Sequence, residues 1–251
     1  MSSVGSSSST SPPRLRMFAG PNGSGKSTIK SKIGEDLLGV FINPDEIEAE
    51  IKHSGFLDFG NFGISPQAAE LIGFFQNSTF LKSVNLNAKV GKLSFARNKL
   101  SFADVSINSY FASVAADFIR QTLVQDRKSF SFETVMSSPD KVGFLQTSRQ
   151  NGYRNYLYYV ATDDPLINIS RVEQRVREGG HNVPKDKIET RYYRSLGLLL
   201  DAVKVTNRTY IFDNSDKEST WIAEITDGED IEIKQDHIPD WFKKYVLDKI
   251  G

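Results

Sequence analysis

The chain has 251 residues, 31 basic and 31 acidic, with 39% hydrophobic content and a sequence pI of about 6.9. That is enough apolar material for a real core, in one large α/β domain or two small ones, and it confines disorder to parts of the chain. The balanced charge argues against nucleic acid or an anionic membrane as a bulk partner, and no apolar run is long enough to span a bilayer. The lack of cysteine excludes disulfides, a thiol nucleophile and a cysteine zinc site, and a cytoplasmic, reducing location fits it.

Residues 1–13 are Ser-rich, with neither a basic n-region nor an apolar h-region, so they read as a flexible tail rather than a signal peptide. A single domain is expected over 14–251. Residues 14–18 predict a buried strand and 24–33 a helix, with "AGPNGSGKST" across the junction. Gly20, four residues, Gly25, Lys26 and Ser27 have the spacing of a phosphate-binding loop, and strand before with helix after is the context such a loop needs. Gly20, Gly23 and Gly25 let backbone N–H groups turn inward around a phosphate, which a Cβ would obstruct. Lys26 offers a point charge to the β/γ-phosphates of ATP, Ser27 a hydroxyl to Mg²⁺, and the helix its positive end. Pro21, Asn22, Ser24 and Thr28 complete the expected nucleotide contacts.

A strand over 40–43 ends in "NPDEIE", where Pro44 stops it and a helix begins. In a parallel sheet, ligands collect beyond the carboxyl ends of the strands, which puts Asn43 and Asp45 near the acceptor. Asp45 could orient an acceptor hydroxyl and take its proton, or it could be a helix N-cap with Glu48 completing a capping box. Residues 53–107 are the least readable stretch, with a helix near 66–81 and basic residues alternating with apolar ones over 82–99. The stretch is a candidate acceptor-specificity region.

A helix over 109–124 gathers Phe111, Val114, Ala115, Phe118 and Leu123 near a single face. The strand at 130–133 ends in "FETV", placing Glu133 and Thr134 where they could bind the acceptor or hold the metal's water, or where Glu133 could pair with an arginine of a lid. A helix follows Pro139, then a strand over 155–161. Two helices broken at 179–184 make a helical lid over 165–206. Arg171 and Arg175 share one helical face beside Val172 and Val176; on the second helix Ile188, Tyr192, Leu196 and Leu199 read as the packed side, leaving Arg191 and Arg194 on another. These guanidiniums could neutralise charge on a transferring phosphoryl group, or form a solvated basic face. His181, in the break, reads as a capping or packing residue.

Strand 209–213 ends in "DNS", common turn formers with a contact to the nucleotide or the loop as the alternative. Strands at 220–225 and 231–234, joined through Asp227-Gly228, and an amphipathic helix over 239–250 complete the chain. The alternation of strand and helix predicts an α/β fold of the P-loop nucleoside triphosphate hydrolase/kinase type, with a mainly parallel central sheet and helices on both faces.

"AGPNGSGKST", "NPDEIE", "FETV", "RVEQRVREGGHNVP", "RYYRSL" and "FDNS" resemble, in order and spacing, the zeta-toxin-like P-loop kinases, in particular the compact bacterial branch labelled predicted ABC-type ATPase. The match covers most of residues 14–215, and the Arg-rich "GGHNVP" segment is more particular to the family than the phosphate loop. The resemblance implies ATP with Mg²⁺ as donor and, as in the zeta-toxin group, the sugar of UDP-N-acetylglucosamine as acceptor, with an antitoxin protein as a partner of some members. It implies Lys26 and Ser27 as phosphate and metal contacts, Asp45 as catalytic base, Glu133 as acceptor-side carboxylate, and Arg175 and Arg191 as phosphate-facing arginines, with Arg171 beside them. Val135 stands where relatives commonly carry a second threonine, and 53–107 is longer than in compact relatives. Two other readings are an ATPase coupling hydrolysis to movement or DNA, for which an LSGGQ-like signature is missing, and a nonenzymatic interaction protein using 82–99.

Overall fold

The computed structural model describes residues 11–180 and 182–250. The segment 1–10 and His181 lie outside them. In chain order the elements are β1 (Arg14–Ala19), α1 (Lys26–Lys30), α2 (Glu35–Leu38), β2 (Val40–Ile42), α3 (Pro44–Ser54), β3 (Phe56–Asp58), α4 (Ala68–Asn77), α5 (Thr79–Ser83), β4 (Ser94–Ala96), β5 (Lys99–Ser101) and α6 (Ser109–Gln125). There follow β6 (Phe130–Thr134), α7 (Asp140–Gln150), β7 (Arg154–Ala161), α8 (Pro165–Arg177), α9 (Lys185–Gly197), α10 (Leu199–Lys204), β8 (Arg208–Asp213), β9 (Thr220–Thr226) and β10 (Asp230–Ile233). The C-terminal helix predicted as one piece is α11 (Asp240–Phe242) and α12 (Asp248–Ile250) with a π turn over Lys243–Leu247 between them.

A seven-stranded sheet runs β10-β9-β8-β7-β1-β6-β2, with β8 through β2 parallel and β9 and β10 antiparallel at one margin. β1 lies at the centre, between β6 and β7, so the chain leaves it toward one side and returns on the other. Such a switch point opens a crevice at the carboxyl edge of the sheet. Ala19 is in register with Thr134 and Tyr159, and Ala161 with Asp213, so four strand ends share that edge.

Alternating residues explain the two faces. Leu15, Met17, Leu157, Tyr159 and Ile211 point into the main core beneath α3, α6, α7 and α10, while Phe18, Tyr158 and Val160 pack with Ile29 of α1 in a smaller cluster on the other face. The predicted face of α6 is buried as read, and Asn108 caps it by accepting from the N–H groups of Tyr110 and Phe111 at 3.1 and 3.3 Å. Arg120 joins that face, with its guanidinium over the rings of Phe132 and Phe144 and a 3.1 Å bond to Asp117.

The least readable stretch contains an antiparallel sheet ordered β3-β5-β4, whose three-residue strands are too short to show a period. Its hairpin turns through Arg97 and Asn98, both left-handed, and Asn98 donates to Ile64 O at 2.9 Å. Leu57, Phe59, Phe75 and Leu100 carry this unit into the main core, with Phe59 edge-on to Phe118 of α6. Val172, Val183 and Ile188 form a small core of their own between α8 and α9, whereas Leu199, Ala202 and Val203 of α10 are buried in the main core. Among the described residues no helix is long and apolar enough to cross a membrane.

One buried hydroxyl pair ties α9 to the sheet: Tyr159 Oη and Ser195 Oγ are 3.0 Å apart, both residues fully buried. Tyr159→Phe leaves the serine hydroxyl without its partner and is expected to cost about 1–2 kcal/mol, read by denaturant unfolding.

Candidate functional site

The loop after β1 closes on itself through Lys26, a residue only 7% exposed. Its ammonium donates to Gly20 O and Pro21 O, both at 3.0 Å, and lies 3.8 Å from Glu133 Oε1. Burial pushes the Lys26 amine below its ordinary value, the carboxylates of Glu133 and then Asp45 oppose that fall, and Arg175 adds to it. Among the described residues the N–H groups of Gly23 and Gly25 donate to no protein atom, and those of Lys26 and Ser27 stand in the open first turn of α1. Four unspent donors and a buried cation make a cradle for phosphate.

The cradle opens into a cleft of about 710 Å³ lined by the loop, Glu133, Arg171, Arg175 and the 217–219 segment. Ser27 Oγ donates to Glu133 Oε2 at 3.3 Å, so hydroxyl and carboxylate stand together where a divalent cation and its water would need oxygen ligands. At the far end Lys32 Nζ donates to Ser219 Oγ at 2.9 Å.

Asp45 does not cap its helix. Asn43 Oδ1 accepts from the Asp45 N–H at 3.0 Å, Asn43 Nδ2 donates to Glu46 at 3.4 Å, and Glu48 pairs with Lys52 at 2.6 Å instead of closing a capping box. Capping therefore occupies Asn43, and the exposed Asp45 carboxylate is left within electrostatic reach of Lys26. Thr134 Oγ1 accepts from the Met136 N–H at 3.1 Å and so braces the turn after β6, where Met136 is left-handed.

The arginines divide. Arg175 lines the cleft. Arg171 also lines it, but its guanidinium donates to the carbonyls of Asn214, Ser215 and Asp216 at 2.7, 3.5 and 3.1 Å, binding α8 to the loop after β8. Arg191 reaches Asn22 Oδ1 at 3.5 Å from outside the lining, and Arg194 is exposed.

One site residue escaped the sequence reading, and a second was read only as the alternative to a turn. Asn168, fully buried on α8, donates to Asn22 O at 2.7 Å, and Asn214 donates to Ser24 O at 2.8 Å. The only signal for the second was its place at a strand end, and a lone Asn inside a helix gives none for the first.

A family model described as Zeta toxin matches residues 101–226, which is half of the chain. The chain belongs to the zeta-toxin family. The matched span begins after the phosphate loop and holds Glu133, α8, α9 and "FDNS". An uncharacterized protein of Haemophilus influenzae is 22% identical over 175 residues, 70% of this chain and 89% of the relative. A structure from the PezAT chromosomal toxin–antitoxin system of Streptococcus pneumoniae superposes at 15% identity and TM-score 0.52, over 97% of this chain and 82% of that one. The AvrRxo1-ORF1:-ORF2 structure with ATP is similar at 15% identity and TM-score 0.52, over 89% of this chain. This chain spans 61% of that protein's length. At such identity these likenesses bear on the fold, a zeta-toxin and P-loop kinase fold with a mostly parallel sheet.

Two outcomes check the geometry. The α8 helix ends in a Schellman motif, Gly180 N to Arg175 O at 2.8 Å and Gly179 N to Val176 O at 3.0 Å, with Gly179 left-handed. Gly180 is required for room instead, because a Cβ there would lie 2.6 Å from Arg175 Cγ. Gly180→Ala is expected to move the Arg175 side chain, seen in a crystal structure of the variant, at a cost of about 1–3 kcal/mol in unfolding experiments. Glu133→Gln removes the largest charge offsetting the burial of Lys26, so the lysine amine is expected to titrate lower than in the unaltered protein by ¹³C NMR of its side chain.

Proposed function

We propose that this protein is an ATP-dependent kinase that moves the γ-phosphoryl group to a hydroxyl of a small molecule, with the sugar of UDP-N-acetylglucosamine as the first candidate acceptor. The observation that carries the reading is the release of Asp45 from capping: a carboxylate just beyond the carboxyl end of β2, within electrostatic reach of the buried Lys26, is free to take the proton of an acceptor hydroxyl. The ATP present in the AvrRxo1 neighbour supports the choice of donor.

The open N–H groups of the loop hold the phosphates, and Lys26 neutralises charge on them. Ser27 and Glu133 are the residues that would hold Mg²⁺ and its water, and the ion would supply charge neutralisation and alignment of the phosphates. Asp45 orients the acceptor hydroxyl and takes its proton as the oxygen attacks. Arg175 meets the charge spread over the transferring group from the lid side, and Arg191, now on Asn22, is the second guanidinium within the lid's reach. The 53–107 unit, built onto the C-terminal end of the helix whose N-terminal end carries Asp45, shapes the acceptor side. A small antitoxin protein is the proposed regulatory partner, on the model of the PezAT system, and the cytoplasm is the proposed location, where ATP is available.

The test is a screen of purified protein with ATP, Mg²⁺ and a panel of UDP-sugars, nucleosides and aminoglycosides, with mass detection of products. A phosphorylated acceptor is expected; tight ATP binding with no product from any acceptor, or hydrolysis that rises on adding DNA, would sink the proposal. Lys26→Ala and Asp45→Asn are each expected to lower phosphotransfer by about a hundredfold or more. Asp45→Asn should leave the ATP dissociation constant near that of the unaltered protein, and Lys26→Ala should not.

A further inference from the structure

A phosphate cradle works only if the loop's carbonyls point elsewhere, because an oxygen turned inward would repel the ligand. The loop meets this requirement at five of the six carbonyls of residues 20–25. Gly20 O and Pro21 O accept from Lys26 Nζ, and Pro21 O also takes the Ser24 N–H at 3.3 Å. Gly25 O enters the helix, accepting from the N–H groups of Thr28 and Ile29 at 3.0 and 3.3 Å. Of the other three, Asn22 O and Ser24 O are held by Asn168 and Asn214, and Gly23 O has no hydrogen-bond donor among the described residues.

Both carboxamides are themselves fixed. Asn168 Oδ1 accepts from Thr162 Oγ1, which settles which end of the amide faces the loop, and Thr162 O in turn accepts from Tyr192 Oη of α9 at 2.5 Å. Asn214 is anchored by its N–H to Ala161 O at 2.8 Å and by its carbonyl, which takes the Arg171 guanidinium. The glycine spacing follows from their approach. A Cβ on Gly23 would lie 2.6 Å from Asn168 O, and one on Gly25 would lie 2.1 Å from Asn214 Nδ2. Glycines read as space for phosphate are also space for two asparagines on the outer side of the loop.

We infer that Asn168 and Asn214 are positioning residues that hold the phosphate loop in its binding form before nucleotide arrives, so that α8, which carries Asn168 and grips Asn214 through Arg171, sets nucleotide affinity as well as supplying Arg175. The inference rests on the nucleotide-binding part of the proposed function and does not depend on the acceptor.

The experiment compares the unaltered protein with Asn168→Ala, Asn168→Asp and Asn214→Ala. Each is followed by fluorescence titration with the methylanthraniloyl derivative of ATP, by hydrogen exchange of the loop amides and by thermal melting. Each variant is expected to weaken nucleotide binding by about tenfold to a hundredfold, the range for leaving a buried carbonyl without its donor, and to speed exchange of the amides at 22–27. Asn168→Asp should be at least as weak as Asn168→Ala, because a carboxylate would face a carbonyl oxygen. Binding within twofold of the unaltered protein together with unchanged exchange would overturn the inference. Asn168 is fully buried, so if its variants fail to fold, the half-buried Asn214 decides on its own. An unaltered protein that binds no nucleotide would overturn the proposed kinase, while the exchange comparison still decides whether the two asparagines hold the loop.

Discussion

A lysine ammonium that is 7% exposed has to be compensated or it will not stay charged, and the site is built around that requirement. Two loop carbonyls, Glu133 from β6 and Asp45 from α3 surround Lys26 at different distances, each from a different crossover of the sheet. Because strand ends are in register at this edge, a carboxylate at the end of β6 and another at the start of α3 converge on the residue that begins α1. The charge therefore couples three connections that are far apart in sequence. Loss of either carboxylate is felt at the lysine before it is felt by any ligand.

The lid is joined to this centre through hydrogen bonds more than through apolar contact. Its own core is three residues, Val172, Val183 and Ile188, while Tyr192 and Leu196 belong to the main core. Between these lie the polar links: Arg171 to three carbonyls of the 214–216 segment, Asn168 to the loop, and Arg191 to Asn22. Polar links of this kind fix orientation strongly and contribute modestly to stability, which suits the proposed part of this element in holding arginines over a nucleotide.

Much of this was legible in the chain because long periodic segments carry strong signals. The buried face of α6 and the Val172–Val176 stripe could be read from spacing, the break at 179–184 from its glycine and Pro184, and the parallel sheet from the helices that flank its central strands. The small sheet of β3, β4 and β5 could not, because three residues show no alternation and its turn depends on two non-glycine residues in left-handed geometry. Nor could the choice of helix cap at "NPDEIE". Asn43 and Asp45 are equally good caps by type, and the position of Pro44 at the first helical residue, which makes the residue before it the cap, is what decides in favour of Asn43. The role proposed for Asp45 turns on that distinction between Asn43 and Asp45. Asn168 was invisible for a different reason: its partner is a main-chain carbonyl 146 residues away, and main-chain partners leave no trace in side-chain pattern.

The same helix that presents Asp45 also roots the stretch that was hardest to read. α3 ends at a left-handed Gly55, and the chain turns at once into β3, whose partner β5 brings Leu100 to pack with Leu57 in the main core. Phe102 N donates to Gly55 O at 2.9 Å, closing the unit back onto the end of α3. A change in the 56–102 unit thus bears on α3 from its C-terminal end, while the ligand meets α3 at its N-terminal end. Among the described residues the phosphate loop makes no hydrogen bond to this unit; its partners are β6, β7, α8, α9 and the loop after β8. In the proposed kinase, donor handling and acceptor choice would therefore fall to separate parts of the framework that meet at Lys26, Glu133 and Asp45.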